Sequence, residues 1–228
     1  LHQLPLGVRI PDRAVFASFL PARNLQAVEH LKRTAHRELP GVTWLCGVNG
    51  TGKTHLLQAV CAEAGTAGNV GYFPLVELHR LGVGLLEGLP QLDCLCFDDI
   101  EQVVGQLDWE RALFGLFREI EERGARLIVS AVAPPALIQW ALPDLGSRFT
   151  AAAVFQMRPL DELEQQQALQ LHAQVRGFEL PDDAARWLQR RFPRDMRTLH
   201  ELLDTLDEAA LVAQRRLTVP FIRSVLRE

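Results

Sequence analysis

An α/β fold, with a mostly parallel sheet covered by helices and a small all-helical domain behind it, is predicted by three observations. Residues 47–54 read Gly47-Val48-Asn49-Gly50-Thr51-Gly52-Lys53-Thr54, the pattern G-x-x-x-x-G-K-[ST], set between an apolar run and a helix-period stretch. Short continuous apolar segments alternate with helical ones up to about Arg158-Pro159, as in a sheet buried on both faces. Beyond that point every long segment has helical periodicity.

Taken in order, Val42-Thr43-Trp44-Leu45-Cys46 follows Pro40-Gly41 and reads as the first strand. A helix from Thr54 to about Glu63 carries apolar spacing in His55-Leu56-Leu57-Gln58-Ala59-Val60-Cys61. Val70 to Leu75 is a second strand, and Asp93 to Asp99 a third with an acidic end. Trp109 to Arg123 places Leu113, Phe114, Leu116, Phe117 and Ile120 on a helical stripe that Gly124 stops. Ala125 to Ala131 is the fourth strand, Pro134-Pro135 are expected to open a helix, and Ala151 to Gln156 is the fifth strand. The later helices are expected at 162–176, 182–192, 194–214 and 220–226, with Asp161 and Asp182 as N-terminal caps. The expected division is therefore a terminal peptide over 1–10, an α/β domain over 11–158 and a helical domain over 159–228.

Composition excludes several classes. Of 228 residues, 48% are hydrophobic and 23% charged, which suits a globular core rather than a disordered chain. No apolar run reaches the roughly 18–20 residues of a membrane span; the longest candidate, Leu127 to Leu145, is broken by Pro134-Pro135. No signal-peptide pattern opens the sequence, so a cytoplasmic setting is expected. Net charge is −4, with no Lys/Arg block of the nucleic-acid-binding kind. Arg186, Arg190, Arg191, Arg194 and Arg197 form a local basic cluster, relieved by Asp182, Asp183 and Asp195 as on a solvated helical face. Cys46, Cys61, Cys94 and Cys96 lack C-x-x-C spacing and read as small core residues.

The octapeptide points to a nucleoside triphosphate and Mg²⁺. Its glycines allow a tight turn that aims successive N–H groups at phosphate oxygens. Lys53 would reach the β- and γ-phosphates, and the Thr54 hydroxyl would take a metal position. The following helix adds its positive end. Asp98-Asp99, closing an apolar strand, suit a Walker B pair: one carboxylate on the metal, its neighbour orienting a water. Arg148 and Arg197 each offer the planar, permanently charged fork that suits a γ-phosphate. Spacing alone leaves both open as surface arginines.

Together these residues resemble the AAA+ ATPases of the DnaA family and, within it, the short Hda-type inactivators. The resemblance runs over nearly the whole chain. Its carriers are Phe16-Ala17-Ser18-Phe19 with Asn24, Gly47 to His55, Cys96-Phe97-Asp98-Asp99-Ile100 and Pro143-Asp144-Leu145-Gly146-Ser147-Arg148-Phe149. More discriminating are Leu169-Gln170-Leu171, Arg176 to Pro181, Met196-Arg197-Thr198-Leu199 and Leu217 to Phe221. The resemblance implies an AAA+ domain with a helical lid, binding ADP or ATP with Mg²⁺ through Asn24, Gly47, Asn49, Gly50, Thr51, Gly52, Lys53, Thr54, His55 and Arg197. Thr54 and Asp98 would serve the metal, Asp98 and Asp99 the attacking water. Arg148 would be an arginine finger acting on ATP held by a neighbouring AAA+ subunit, and Arg197 the sensor-2 arginine of the lid. Implied partners are DnaA and the DNA-loaded sliding clamp of DNA polymerase III, with a homodimer as a further state, and neither sequence-specific DNA binding nor a membrane is implied. The implied role is negative regulation of replication initiation.

Two features select the inactivator within that resemblance. Only 31 residues follow Arg197, where DnaA continues into a DNA-binding domain. The start, Gln3-Leu4-Pro5-Leu6-Gly7, resembles a clamp-binding peptide in which Gln3, Leu4 and Leu6 dock in an apolar groove. Gly7 departs from it, standing where a proline or aromatic residue is common. Val132-Ala133 is a second departure, because relatives place an acidic residue and an arginine there; Ser130 is the polar residue in position to substitute in part. Own hydrolysis is accordingly expected to be weak. An autonomous ATPase of helicase-loader type, using Lys53, Asp98 and Asp99 for itself, is the alternative, and a non-catalytic DNA-binding module is disfavoured by the acidic net charge.

Overall fold

A computed structural model describes residues 14–192, 196–213 and 217–226, apart from the side chains of 196, 197, 200, 201 and 210–213. The chain divides into two compact units. One comprises Asn24–Arg158 with the described residues up to Phe16; the other comprises Ala17–Arg23 with the residues from Pro159 onward.

The first unit is a five-stranded, wholly parallel sheet: β1 (Gly41–Cys46), β2 (Val70–Pro74), β3 (Cys94–Asp98), β4 (Arg126–Ala131) and β5 (Ala153–Gln156). With it go the helices α1 (Leu25–Ala35), α2 (Lys53–Ala64), α3 (Leu75–Leu78), α4 (Leu107–Arg123) and α5 (Pro143–Thr150). The spatial order of the strands is β2-β3-β4-β1-β5. The chain leaves β1 in one direction and returns to its other side at β5, so β1 ends at a topological switch point, where open α/β sheets bind ligands. The β4 strand lies between β1 and β3, pairing Leu45 with Ser130 on one side and Phe97 with Val129 on the other.

Alternation along these buried strands decides what faces what. Trp44, Leu95, Phe97, Leu127 and Val129 join one core cluster with Leu113, Leu116, Phe117 and Ile120 of α4. The intervening residues face α2, whose Cys61 meets Cys96. Asp98 and Ser130 share the parity of Cys96 and Ile128 and so belong to the α2 side. All four cysteines are buried thiols, as their apolar settings predicted.

An aromatic knot fixes the segment that carries Arg148. Phe149 lies 5.1 Å from Trp44, 5.4 Å from Trp140 and 5.6 Å from Phe117 between ring centroids. Trp44 Nε1 donates to the Ala133 carbonyl and Trp140 Nε1 to that of Pro135, each at 3.0 Å. These bonds hold 133–140 as a packed loop, which corrects one expectation. Pro134-Pro135 introduce only a 3-10 turn, Pro135–Leu137, and the helix α5 begins at a third proline, Pro143. Buried Glu110 then accepts from Gly105 N at 2.7 Å and Leu142 N at 2.6 Å, tying both chain entries to one carboxylate. A Cβ at Gly146 would run into the Trp140 indole. Gly146→Ala is therefore expected to cost about 1–3 kcal/mol, read as a lowered urea midpoint, because shifting the ring would strain its bond to Pro135 and its stacking on Phe149.

The second unit is helical: α6 (Glu162–Val175), α7 (Asp182–Arg191), α8 (Met196–Ala213) and α9 (Val219–Leu226). Its core gathers Leu169, Leu180, Leu188, Leu203, Leu206 and Ile222. Asp161 caps α6 in a reciprocal capping box with Glu164. Arg23 binds both carboxylates, at 2.7 Å to Asp161 and 3.1 Å to Glu164. Asp182 differs from expectation: Pro181 occupies the cap position, and Asp182 Oδ1 instead accepts from Gln166 (3.2 Å) and Gln170 (2.7 Å) of α6.

Candidate functional site

The loop after β1 closes on itself before α2 starts. Gly50 and Gly52 adopt left-handed φ of +82° and +88°, values that L side chains rarely take. A Cβ on Gly47 would lie 2.8 Å from the Met157 carbonyl oxygen, so only glycine allows the segment just after β5 to close on the loop. Thr51 Oγ1 donates to Val48 O at 2.9 Å, within the turn. Lys53 is 5% exposed, its Nζ donating to the carbonyls of Gly47 (2.7 Å) and Val48 (3.3 Å). The 12-residue α2 opens at Lys53 with Gly52 at its cap, directing its first N–H groups at the same loop. A cationic ammonium, a helix N-terminus and left-handed glycines on one turn fit a polyphosphate, and Thr54, half-buried on the first turn of α2, stands where a hydroxyl could join a metal's oxygen ligands.

Two candidates for the nucleotide have bracing roles. Asn24, 5% exposed, donates to Arg158 O at 2.9 Å and accepts from Arg158 N at 2.8 Å, so both ends of its amide clasp the chain just beyond Met157. His55 Nε2–H donates to Val15 O at 3.0 Å. Burial holds the His55 imidazole below its ordinary pKa, against the opposing pull of that carbonyl. Burial, then Arg33, lowers His30 likewise. The unfolded chain therefore takes up these protons more readily than the folded one. Stability present above about pH 6.5, the unfolded value, is lost as pH falls from there through the lowered folded pKa values. The urea midpoint is expected to drop between pH 7.5 and 5.5, and to drop less in His55→Gln.

The acidic pair is organised by the strand inserted between β1 and β3. Asp98, 2% exposed, receives the Tyr72 hydroxyl at 2.7 Å on Oδ2 and the Ser130 hydroxyl in a short bond on Oδ1. Burial first, then Asp98, pushes the Tyr72 phenol far above its usual pKa, so it stays a donor. Asp99 is left-handed (φ +58°), and its N–H donates to Ser130 Oγ at 2.9 Å. Ser130 thus links both aspartates, which accounts for its place in the strand although Val132 beyond it is apolar and 48% exposed. Ser130→Ala would strip a buried carboxylate oxygen and a backbone N–H of their partner. A loss of about 2 kcal/mol in urea unfolding is expected.

Sequence reading passed over Tyr72 and Glu101. Glu101 Oε2 is buried with no hydrogen-bond partner among the described residues. Burial raises its pKa, Asp99 and Asp98 add to the rise, and Lys53 opposes it. Its proximity to three candidate residues was hidden because it follows the strand in a turn, Ile100–Gln102, outside any motif.

Arg148 lies elsewhere, on α5. Its guanidinium pairs with Glu121 at 2.6 Å and sits over the rings of Phe114 (5.1 Å) and Phe117 (5.4 Å). The side chain remains 37% exposed. The structure therefore groups Gly47, Asn49, Gly50, Thr51, Gly52, Lys53, Thr54, Asp98 and Asp99 about the end of β1, and seats Arg148 on α4. Arg197 falls on the first turn of α8, its side chain outside the described residues, as are Gln3, Leu4 and Leu6.

Comparison with known proteins agrees with this geometry. Residues 161–226 match the family model described as Hda, lid domain. Domain III of the Thermotoga maritima replication initiation protein DnaA is 19% identical, with a TM-score of 0.74 over 96% of this chain and 98% of that one. AMPPCP-bound DnaA from Aquifex aeolicus is 20% identical, with a TM-score of 0.73 over 88% of this chain and 67% of that one. The Thermotoga maritima RuvB Holliday junction branch migration motor is 19% identical, with a TM-score of 0.62 over 90% of this chain and 68% of that one. With a P-loop and a buried acidic pair on its parallel sheet, the chain has the fold of DnaA domain III, and its residues 161–226 match the Hda lid family.

Proposed function

We propose that the protein is a nucleotide-bound regulator of replication initiation, which uses Arg148 to complete the ATPase site of DnaA when DnaA is held near the DNA-loaded sliding clamp. The observation that carries this reading is the separation of two parts. The phosphate loop and acidic pair lie at the ends of β1 and β3, whereas Arg148, on α5, lies over α4 with its side chain 37% exposed. An exposed arginine there, tied to its own chain by an exposed ion pair with Glu121, would be available to a neighbouring molecule's phosphate. The Hda-type lid and the DnaA-like fold support DnaA as the neighbour.

Within its own site, Lys53 and the N–H groups of the loop would bind the β- and γ-phosphates, and Thr54 and Asp98 would hold Mg²⁺. The bound metal would neutralise phosphate charge. Asp99, steered by Ser130, would orient water, and Arg197 would contact the nucleotide from the lid. ADP or ATP in this site then fixes the conformation that presents Arg148, while Gln3, Leu4 and Leu6 would tether the chain to the clamp. The test is the rate at which DnaA-bound ATP is hydrolysed with this protein and DNA-loaded clamp, together and singly. Acceleration requiring both is expected; an unchanged rate overturns the proposal.

An autonomous ATPase is the second reading, favoured by the intact phosphate loop facing a fully braced Asp98. Sustained hydrolysis by the isolated chain, abolished by Lys53→Ala, would establish it in place of the first.

A further inference from the structure

At the opposite end of the sheet, where the strands begin, lies a cavity of about 160 Å³ lined by Arg37, Asp93, Arg123 and Arg126. It is about 20 Å from the phosphate loop, the length of a six-residue strand. Arg126 opens β4 and is 3% exposed, a burial that a permanent cation tolerates only when its donors are used. Its Nε donates to Asp93 O at 3.1 Å, and its Nη1 to the carbonyls of Thr34 (2.8 Å) and Ala35 (3.0 Å) at the end of α1. Nη2 has no hydrogen bond among the described residues and is not sealed from solvent, so it opens on the cavity.

The surroundings are built as well. Arg37 Nη2 binds Asp93 Oδ2 at 3.0 Å and Ala67 O at 2.8 Å. A Cβ on Gly68 would lie 2.7 Å from that Asp93 oxygen, so the pair seats only against glycine. Arg123 donates to Gln91 at 3.3 Å and lines the cavity. The Asn69 N–H chiefly, and then Arg37, Arg126 and Arg123, hold the Asp93 carboxyl below the usual range. Three guanidiniums thus converge on a single carboxylate, leaving two positive charges over.

We propose that this cavity is a binding site for a phosphate-class oxyanion, held by Arg126 Nη2 at its floor and by Arg37 and Arg123 at its rim. A tetrahedral oxyanion offers several acceptors to converging forks, the geometry in which arginine exceeds lysine. The volume admits such an ion with a little water. The site is independent of the phosphate loop, and its occupancy would neutralise the cluster and brace the starts of β3 and β4.

Inorganic phosphate is the probe, titrated by calorimetry into the full chain at low salt. Saturable binding with Kd of about 1 mM or tighter is expected in the wild type and equally in Lys53→Ala, which disables the phosphate loop. Arg37→Gln and Arg123→Gln, at exposed positions where folding is not at stake, should each weaken it at least tenfold. Dimethyl phosphate identifies the source: binding as tight as phosphate assigns a nucleic-acid backbone diester, and a tenfold preference for inorganic phosphate assigns a free or terminal group. Absence of saturable heat, or binding lost in Lys53→Ala and retained in both arginine variants, overturns the proposal.

Discussion

Arg148→Ala is expected to remove nearly all stimulation of hydrolysis on DnaA while leaving the protein folded. An arginine supplied in trans to a transferring phosphoryl group accelerates hydrolysis by roughly 10³–10⁵, so loss of the whole effect is the scale to look for. Stability should change little, because the Arg148–Glu121 pair is exposed, at 37% and 49%, and pairs of that kind contribute at most about 1 kcal/mol. Lost contact with Phe114 and Phe117 adds a similarly small amount. The informative companion is Glu121→Gln. If Arg148 must leave Glu121 to reach a phosphate, weakening that tie should raise stimulation, by severalfold for each kcal/mol of contact removed. Arg148→Lys is expected to rescue poorly, since a point charge lacks the planar fork. A hydrolysis assay on DnaA-bound ATP checks all three; full activity in Arg148→Ala would sink the trans-finger reading.

Most of the sheet was legible because each strand is buried on both faces and reads as an unbroken apolar run. Strands β1 and β3 and helices α2 and α6 differ from expectation by only a residue or two at their ends. The helix expected at Pro134-Pro135 failed for a tertiary reason: Trp44 and Trp140 claim the Ala133 and Pro135 carbonyls, a cause separated in sequence by up to 89 residues. Asp182 was misread for a related reason, since two glutamines of α6 use its carboxylate.

The phosphate loop was legible as a contiguous pattern. Its supports were not, because strand order is invisible in a string. That β4 enters between β1 and β3 is what makes Ser130 the shared partner of Asp98 and Asp99. Tyr72 reaches Asp98 from β2 for the same reason, across the other edge of β3. The arginine cluster at the strand starts was equally hidden, its members spread from residue 37 to residue 126. Local patterns thus announced the ligand, whereas the groups that tune its site came from the order of the strands.

Lys53→Ala is expected to abolish tight binding of ADP and ATP, and with it the stimulation of DnaA, without unfolding the chain. The ammonium is 5% exposed and rests on the carbonyls of Gly47 and Val48. Those bonds exchange readily for phosphate oxygens, because a charge-assisted bond to an anion is about twice as strong as one between neutral groups. Removing the lysine leaves the loop carbonyls to water and deletes the one cationic side chain seated in the turn. A loss of about 3–4 kcal/mol, two to three decades in Kd, follows for a buried cation deprived of a polyphosphate. Equilibrium dialysis with labelled ADP gives the number directly. Stimulation measured on the same preparation separates two roles for the nucleotide. If Lys53→Ala binds no nucleotide yet still accelerates hydrolysis on DnaA, the nucleotide is dispensable to the presentation of Arg148. If both fall together, the phosphate loop sets the position from which Arg148 acts, and its chemistry is spent on a neighbour's ATP.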